Sequence, residues 1–83
     1  MRVIARAISE GQVSFSRHAR ERMAERNLIE NDVVNVLRCG LINEEPEQRG
    51  KTWRYKVETG RMSVIVGLRS TTEVTVVSAW RET

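Results

Sequence analysis

An α+β fold of one domain is what this chain predicts, because helical patterns come first and strand patterns come second. Apolar residues recur at helical spacing up to about residue 38, whereas the later runs are rich in valine and are separated by short turn segments. With 83 residues there is room for one modest core, so we expect residues 1–83 to form a single domain.

The first part of the chain predicts two helices on either side of a brief strand. A short amphipathic helix is expected over residues 2–10, where Gly11 provides a natural stop. Gln12–Phe15 form the brief strand, and a second helix then runs through Arg26. Ser16 precedes this helix, where its side chain can accept hydrogen bonds from the free amides of the first turn.

A third helix is predicted over Glu30–Arg38, with an apolar side formed by valines and Leu37, and with Gly40 at its end. Asn27, between the second and third helices, tolerates the left-handed conformation that often ends a helix. Ile29 stands where a capping Ser or Thr is expected, which predicts a slightly frayed start.

Three antiparallel strands are expected after an acidic segment, Asn43–Gln48, which we interpret as a loop or a strand edge. Turn residues at Thr59–Gly60 and at 70–72 separate the strands. Successive side chains of a strand point to opposite faces, so we expect one face of the sheet in the core and one outside it.

Basic side chains are concentrated in this strand region. Seven of them lie between residues 49 and 81, against only two glutamates: Arg49, Lys51, Arg54, Lys56, Arg61, Arg69 and Arg81. Strand alternation places Arg54 and Lys56 on one face, and it places Arg69 and Arg81 on that face as well if the valines face the core. Arginine offers phosphate a planar fork of donors, but it is also common on solvated strand faces, so the pattern leaves both interpretations open.

The same alternation predicts that the aromatic residues of the strands face the core. Trp53 and Tyr55 alternate with the cations of their strand, and Trp80 falls on the face of the last strand that carries its buried valines. A buried Tyr55 needs a partner for its hydroxyl, and an exposed Trp80 is able to stack on a nucleic-acid base.

Composition narrows the class of protein. The net charge is +3, and twelve of the fourteen basic residues are Arg, which favours nucleic acid or an acidic protein segment as the partner. The single Cys39 excludes an internal disulfide, and one cysteine with one histidine cannot complete a four-ligand zinc site. No apolar run approaches the roughly 20 residues that cross a membrane, and no signal-peptide pattern occurs, so we expect a soluble, cytoplasmic protein.

His18 is the candidate for proton transfer, since histidine exchanges protons near neutral pH. The alternative is a histidine that only packs or forms hydrogen bonds at the start of a helix. No nucleotide-binding loop, zinc-protease motif or paired-carboxylate motif occurs, so any enzymatic chemistry is expected to need no metal and no cofactor. RNA cleavage fits this condition, because the 2′-hydroxyl of the substrate is itself the nucleophile.

Four motifs follow one another along the chain: Phe15–Arg26, then Asp32-Val33 with Val36-Leu37 and Gly40, then Glu45-Pro46-Glu47, and then Trp53-Arg54-Tyr55. Their order resembles a small bacterial domain of unassigned function that is related to the RelE and MqsR superfamily of toxin-antitoxin ribonucleases. The segments Ile8–Val13 and Val76–Glu82 are also similar to the corresponding ends of MqsR toxins.

The resemblance implies a toxin-like domain in which helices pack on one face of a twisted antiparallel sheet, while the other face binds messenger RNA, often on the ribosome. It also implies a tightly bound antitoxin, typically with a zinc finger and a helix-turn-helix module. The residues expected to be catalytic are His18, Arg54, Lys56 and Arg81, with Tyr55 as the alternative proton-transfer group. The further residues expected to bind RNA are Arg22, Arg49, Lys51, Arg61 and Arg69. The rival hypothesis is a non-catalytic RNA- or protein-binding module with a degenerate toxin fold.

Overall fold

The computed structural model of the chain describes residues 13–68 and 73–82, which form two helices and a five-stranded sheet. In chain order the elements are β1 (Val13–Phe15), α1 (Arg17–Glu25), α2 (Glu30–Cys39), β2 (Glu47–Arg49), β3 (Thr52–Glu58), β4 (Met62–Leu68) and β5 (Val74–Arg81). The α+β prediction is confirmed. The helix predicted over residues 2–10 lies outside the described residues, and so does Arg69.

The sheet is mixed, and its strand order is β1-β5-β4-β3-β2. Strands β2 to β5 pair antiparallel, whereas β1 runs parallel to β5, with Val13 opposite Val74 and Phe15 opposite Val76. The prediction of a wholly antiparallel sheet is therefore wrong, since β1 pairs in parallel, while the brief strand expected before the second helix is confirmed at Val13–Phe15. Parallel neighbours need a long crossover connection, and here everything from α1 to β4 supplies it.

Helix α1 begins and ends where its local sequence predicts. The Ser16 hydroxyl accepts a hydrogen bond of 3.0 Å from the Ala19 amide, which satisfies one of the free N–H groups of the first turn. Ala19 and Met23, four residues apart, are buried on the side that faces the sheet. Asn27 follows the helix with a φ of 55°, the left-handed conformation that Asn tolerates.

Helix α2 lacks a capping side chain at Ile29, but its first turn is tied back in another way. The Asp32 carboxylate accepts a hydrogen bond of 3.0 Å from the Ile29 amide. At the other end, a Cβ on Gly40 would lie 2.6 Å from the Val36 carbonyl oxygen and 2.7 Å from Val57 Cγ1. The glycine therefore lets the end of the helix approach β3 closely.

The core lies between the helices and one face of the sheet. Its buried members on the strands are Val57, Met62, Val64, Val66, Val74, Val76 and Ala79. We call the opposite side of the sheet the polar face; it carries Thr52, Arg54 and Lys56 of β3, Ile65 and Gly67 of β4, and Thr75, Val77, Ser78 and Trp80 of β5. None of the helices in the described ranges is both long enough and apolar enough to span a lipid bilayer.

A β-bulge at Val77 changes which face the end of β5 presents. Ile65 lies opposite Ser78, but the next residue of β4 lies opposite Val76, so Val77 is an extra residue without a partner across the strands. Beyond the bulge the alternation is reversed, which turns Ala79 into the core and Trp80 onto the polar face. The predictions that Trp80 faces the core and that Arg81 shares a face with Arg54 are therefore wrong.

The other two aromatic residues differ in their burial. Tyr55 is half-buried and packs against the core cluster, as alternation predicts. Trp53 is on the same side of β3 but retains 43% of its exposure, so the prediction that it is a core residue is wrong.

Candidate functional site

Two adjoining cavities lie on the polar face. The acidic cavity, of about 560 Å³, includes Glu44, Glu45 and Glu47 in its lining. The hydroxyl cavity, of about 570 Å³, is lined instead by Ser16, Thr52, Thr75 and the backbone at Gly67. Four residues line both cavities: His18, Arg49, Arg54 and Val77. The boundary between the cavities is therefore cationic.

Arg54 is the central side chain of this boundary. It lies in the middle of β3, where its cross-strand neighbours are Glu47 on one side and Gly67 on the other. Its Nε is buried and has no hydrogen-bond partner among the residues that the structure describes. Leaving such a donor desolvated and unpaired costs about 1–3 kcal/mol, and more for a charged group. A bound anion that accepts from the guanidinium fork would recover this free energy.

His18 is brought to the same boundary from α1. It is the second residue of the helix and is exposed, and its position is set by the cap residue Ser16 two positions earlier. The Ser16 amide donates to the Val76 carbonyl at 2.9 Å, and the Ser16 hydroxyl donates to the Val77 carbonyl at 3.4 Å. The start of the helix is thereby fixed to β5, and the histidine lies in both cavities together with Arg54, as the sequence predicts.

Lys56 is already engaged by acidic residues. Its Nζ lies 3.1 Å from Glu44 Oε2 and 3.8 Å from Glu58 Oε2, and it stands 5.7 Å from the centre of the Trp80 ring. The hydrogen bond to Glu44 is the main reason that the pKa of Lys56 is raised above its ordinary value, and nearby carboxylate charges add to it. Lys56 is therefore a protonated cation whose charge is partly balanced.

Trp80 and Glu82 form a group that alternation along the sequence does not reveal. Glu82 Oε1 accepts hydrogen bonds from the Ser63 hydroxyl at 2.8 Å and from the Trp80 indole at 2.6 Å. These two hydrogen bonds, that from Ser63 first, hold the pKa of Glu82 below its ordinary value. The extra residue at Val77 places Trp80 beside Lys56, and valine-serine runs carry no local signal for such a bulge.

The remaining predicted site residues lie apart from the boundary or are paired. Arg49 is at the boundary but forms an ion pair of 2.9 Å with Glu47. Arg22 pairs with Glu25 on α1 at 2.7 Å, and Lys51 and Arg61 are exposed turn residues outside both cavities.

Arg81 and Tyr55 belong to the other side of the sheet. The Arg81 guanidinium donates to the Asn27 carbonyl at 3.1 Å, beyond the end of α1. Tyr55 borders the acidic cavity, but its side chain packs against the core. The structure thus brings together His18, Arg49 and Arg54, with Lys56 nearby, and does not bring Arg81 to them.

Residues 13–68 and 73–82 contain no group of three or more His, Cys, Asp or Glu side chains arranged to hold a metal ion.

Residues 15–81 match a protein family described as a domain of unknown function, DUF4258. No curated protein and no solved structure matches the chain. Because the match spans most of its length, the chain belongs to the DUF4258 family.

Proposed function

We propose that this protein is a metal-independent endoribonuclease that cleaves messenger RNA as the toxin of a type II toxin-antitoxin system. The observation that carries the proposal is the desolvated, unpartnered Nε of Arg54 at a boundary that it shares with His18. An anion-binding group and a proton-transfer group side by side are what RNA cleavage by the 2′-hydroxyl requires. The motif order that resembles the RelE and MqsR ribonucleases supports the same activity and a bound antitoxin.

In the proposed reaction, the 2′-oxygen attacks the adjacent phosphorus, the bond to the 5′-oxygen breaks, and a 2′,3′-cyclic phosphate forms. Arg54 binds non-bridging phosphate oxygens through its guanidinium fork and stabilises the charge that develops on them. His18 accepts the proton of the 2′-hydroxyl as general base, and a solvent water protonates the leaving 5′-oxygen. Lys56 remains protonated and contributes charge, since its pKa is raised. Arg49 is an outer phosphate contact once Glu47 is displaced.

The test is cleavage of a defined RNA by purified protein, alone and with ribosomes, in the presence of a metal chelator. Arg54→Ala and His18→Ala should each lower the cleavage rate by about a hundredfold or more, in line with the loss of an electrostatic or acid–base group. Arg38→Ala is the matched control, because it removes one exposed arginine of α2 that lines neither cavity. Cleavage at the wild-type rate by Arg54→Ala would contradict the proposed site, and strict dependence on added magnesium would contradict the mechanism.

A second candidate is a non-catalytic RNA- or protein-binding module, and the ion pairs Lys56–Glu44 and Arg49–Glu47 favour it, since they leave Arg54 as the main unengaged cation. Expression in cells separates the candidates. A toxin should arrest growth, and its neighbouring gene should relieve the arrest. A binding module should do neither, while Arg54→Ala should still weaken its binding.

A further inference from the structure

We propose that the hydroxyl cavity is a nucleoside subsite, which takes one base and its ribose beside the phosphate bound by Arg54. This inference rests on the proposed function and specifies how the substrate is held. The cavity, at about 570 Å³, falls within the range of about 300–1,000 Å³ typical of small-molecule sites.

The floor of this cavity lies at Gly67, a buried residue that pairs with Arg54 across β3 and β4. A Cβ at this position would lie 3.2 Å from Thr52 Cγ2 and 3.8 Å from Val77 Cγ2. Among the described glycines only Gly50 has a positive φ, so backbone conformation does not require glycine at position 67. Glycine weakens the interior of a strand, and it often marks a place where a ligand approaches closely. The methyl groups of Thr52 and Val77 beside this glycine make an apolar floor that suits the face of a base.

The walls of the cavity supply hydroxyl groups. The Thr75 hydroxyl shares one hydrogen bond of 3.1 Å with the Ser14 hydroxyl, which leaves further donor and acceptor capacity on the pair. The Thr52 hydroxyl has no partner within the described ranges. Ser16 is occupied, since it accepts from the Ala19 amide and donates to the Val77 carbonyl. Neutral groups that both donate and accept match the hydroxyls of a ribose and the polar edge of a base.

Charge distinguishes the two cavities. The acidic cavity carries three glutamates, whereas the residues that the structure describes around the hydroxyl cavity include no carboxylate, and the ionisable ones among them are His18, Arg49 and Arg54. On the acidic side, an RNA strand that places a phosphate on Arg54 must displace carboxylates from Lys56 and Arg49, whereas the described lining of the hydroxyl cavity holds no such competitor. The nucleoside next to that phosphate is therefore held on the side of Gly67.

The test uses a dinucleotide whose attacked position is 2′-deoxy, so that it cannot be cleaved, and two counterparts that each lack one base. For the wild-type protein, loss of one particular base should weaken binding about tenfold or more, because stacking of a base contributes that much. Gly67→Val fills the floor of the cavity. The variant should bind the complete dinucleotide no more tightly than the ligand that lacks the critical base, and its affinity for that second ligand should equal that of the wild-type protein. Arg54→Ala should weaken binding of all three ligands. Gly60→Ala, whose added Cβ meets no atom within 4 Å, should behave as wild type.

A measurement on the wild-type protein covers the case in which Gly67→Val does not fold. In amide-resolved NMR titrations, the Gly67 and Thr75 signals should shift with the complete dinucleotide and not with the counterpart that lacks the critical base. Equal affinity for all three ligands, or an undiminished base dependence in Gly67→Val, would overturn the subsite while leaving RNA binding intact. Failure of every ligand and of longer RNA to bind the wild-type protein would instead overturn the proposed function itself.

Discussion

Glu44 and Lys56 are joined across the acidic cavity by a hydrogen bond of 3.1 Å between Oε2 and Nζ. Arg49 Nε likewise donates a hydrogen bond of 2.9 Å to Glu47 Oε1. Carboxylates from the segment before β3 thus occupy hydrogen-bonding positions on two of the cations that line the acidic cavity. RNA that binds to these cations must displace them.

Glu44→Gln should therefore strengthen RNA binding, by about threefold to tenfold at low salt, because it releases the charge of Lys56. The slope of the logarithm of affinity against the logarithm of salt concentration should also become more negative by about 0.7, the change for one additional phosphate contact with a single strand. Glu45→Gln is the control, since Glu45 lines the same cavity but forms no ion pair within the described part of the chain. Binding measured by fluorescence anisotropy over a range of salt concentrations checks both effects. Equal gains in the two variants would show that general charge, and not the pairing with Lys56, is responsible.

Ser63→Ala should raise the pKa of Glu82, because the hydrogen bond from Ser63 is the largest cause of its lowered value. A carboxyl with a lowered pKa in the folded state stabilises the protein above its ordinary pKa of 4.5, and this contribution is lost as the pH falls. The wild-type free energy of unfolding should thus fall more steeply than that of Ser63→Ala as the pH drops below 4.5. A carboxyl-detected NMR titration measures the shift directly. Ser78→Ala, on the same face, should leave it unchanged.

Ser16→Ala should lower the free energy of unfolding by about 1 kcal/mol, the usual cost of removing an N-terminal cap. Denaturant unfolding is the measurement, and Ser16→Thr should retain most of the stability because it keeps the acceptor. Ser14→Ala changes a neighbouring serine that caps no helix, and its smaller effect provides the comparison. If Ser16→Ala lowers the free energy of unfolding no more than Ser14→Ala does, the cap contributes little to stability.

Arg81→Ala and Arg54→Ala should have opposite effects, although each removes one positive charge. Loss of the bond from Arg81 to the Asn27 carbonyl should destabilise the fold by about 1 kcal/mol and leave the affinity for RNA nearly unchanged. Arg54→Ala should weaken RNA binding and leave the fold as stable or more stable, because an unpaired donor is removed. Thermal unfolding and RNA binding, measured on the same samples, test this. A large loss of affinity for RNA in Arg81→Ala would show that Arg81 belongs to the RNA-binding site.

Local signals made much of this fold predictable. Ser16 and Asn27 act within one turn of the chain, so their roles at the ends of α1 follow from residue type and spacing. The face of Arg54 was also predictable, since regular alternation holds through β3, whereas the approach of His18 depends on the bonds of Ser16 to β5.

The errors arise where distant parts of the chain decide the outcome. The bulge at Val77 depends on pairing with β4, and a single extra residue reverses every later side chain of β5. Trp80 and Arg81 exchange faces for this reason alone. The parallel pairing of β1 likewise depends on β5, because three residues carry too little pattern to specify a partner.

The pairing of β1 with β5 also determines when the two cavities of the polar face can form during synthesis of the chain. Ser14 and Thr75, which meet through their hydroxyls, are 61 residues apart, so their contact waits until nearly the whole described chain has been translated. Ser16 and His18 are held at the polar face by hydrogen bonds to Val76 and Val77. A nascent chain without β5 therefore lacks the assembled site, so the ribonuclease activity that we propose requires β5 to have been translated.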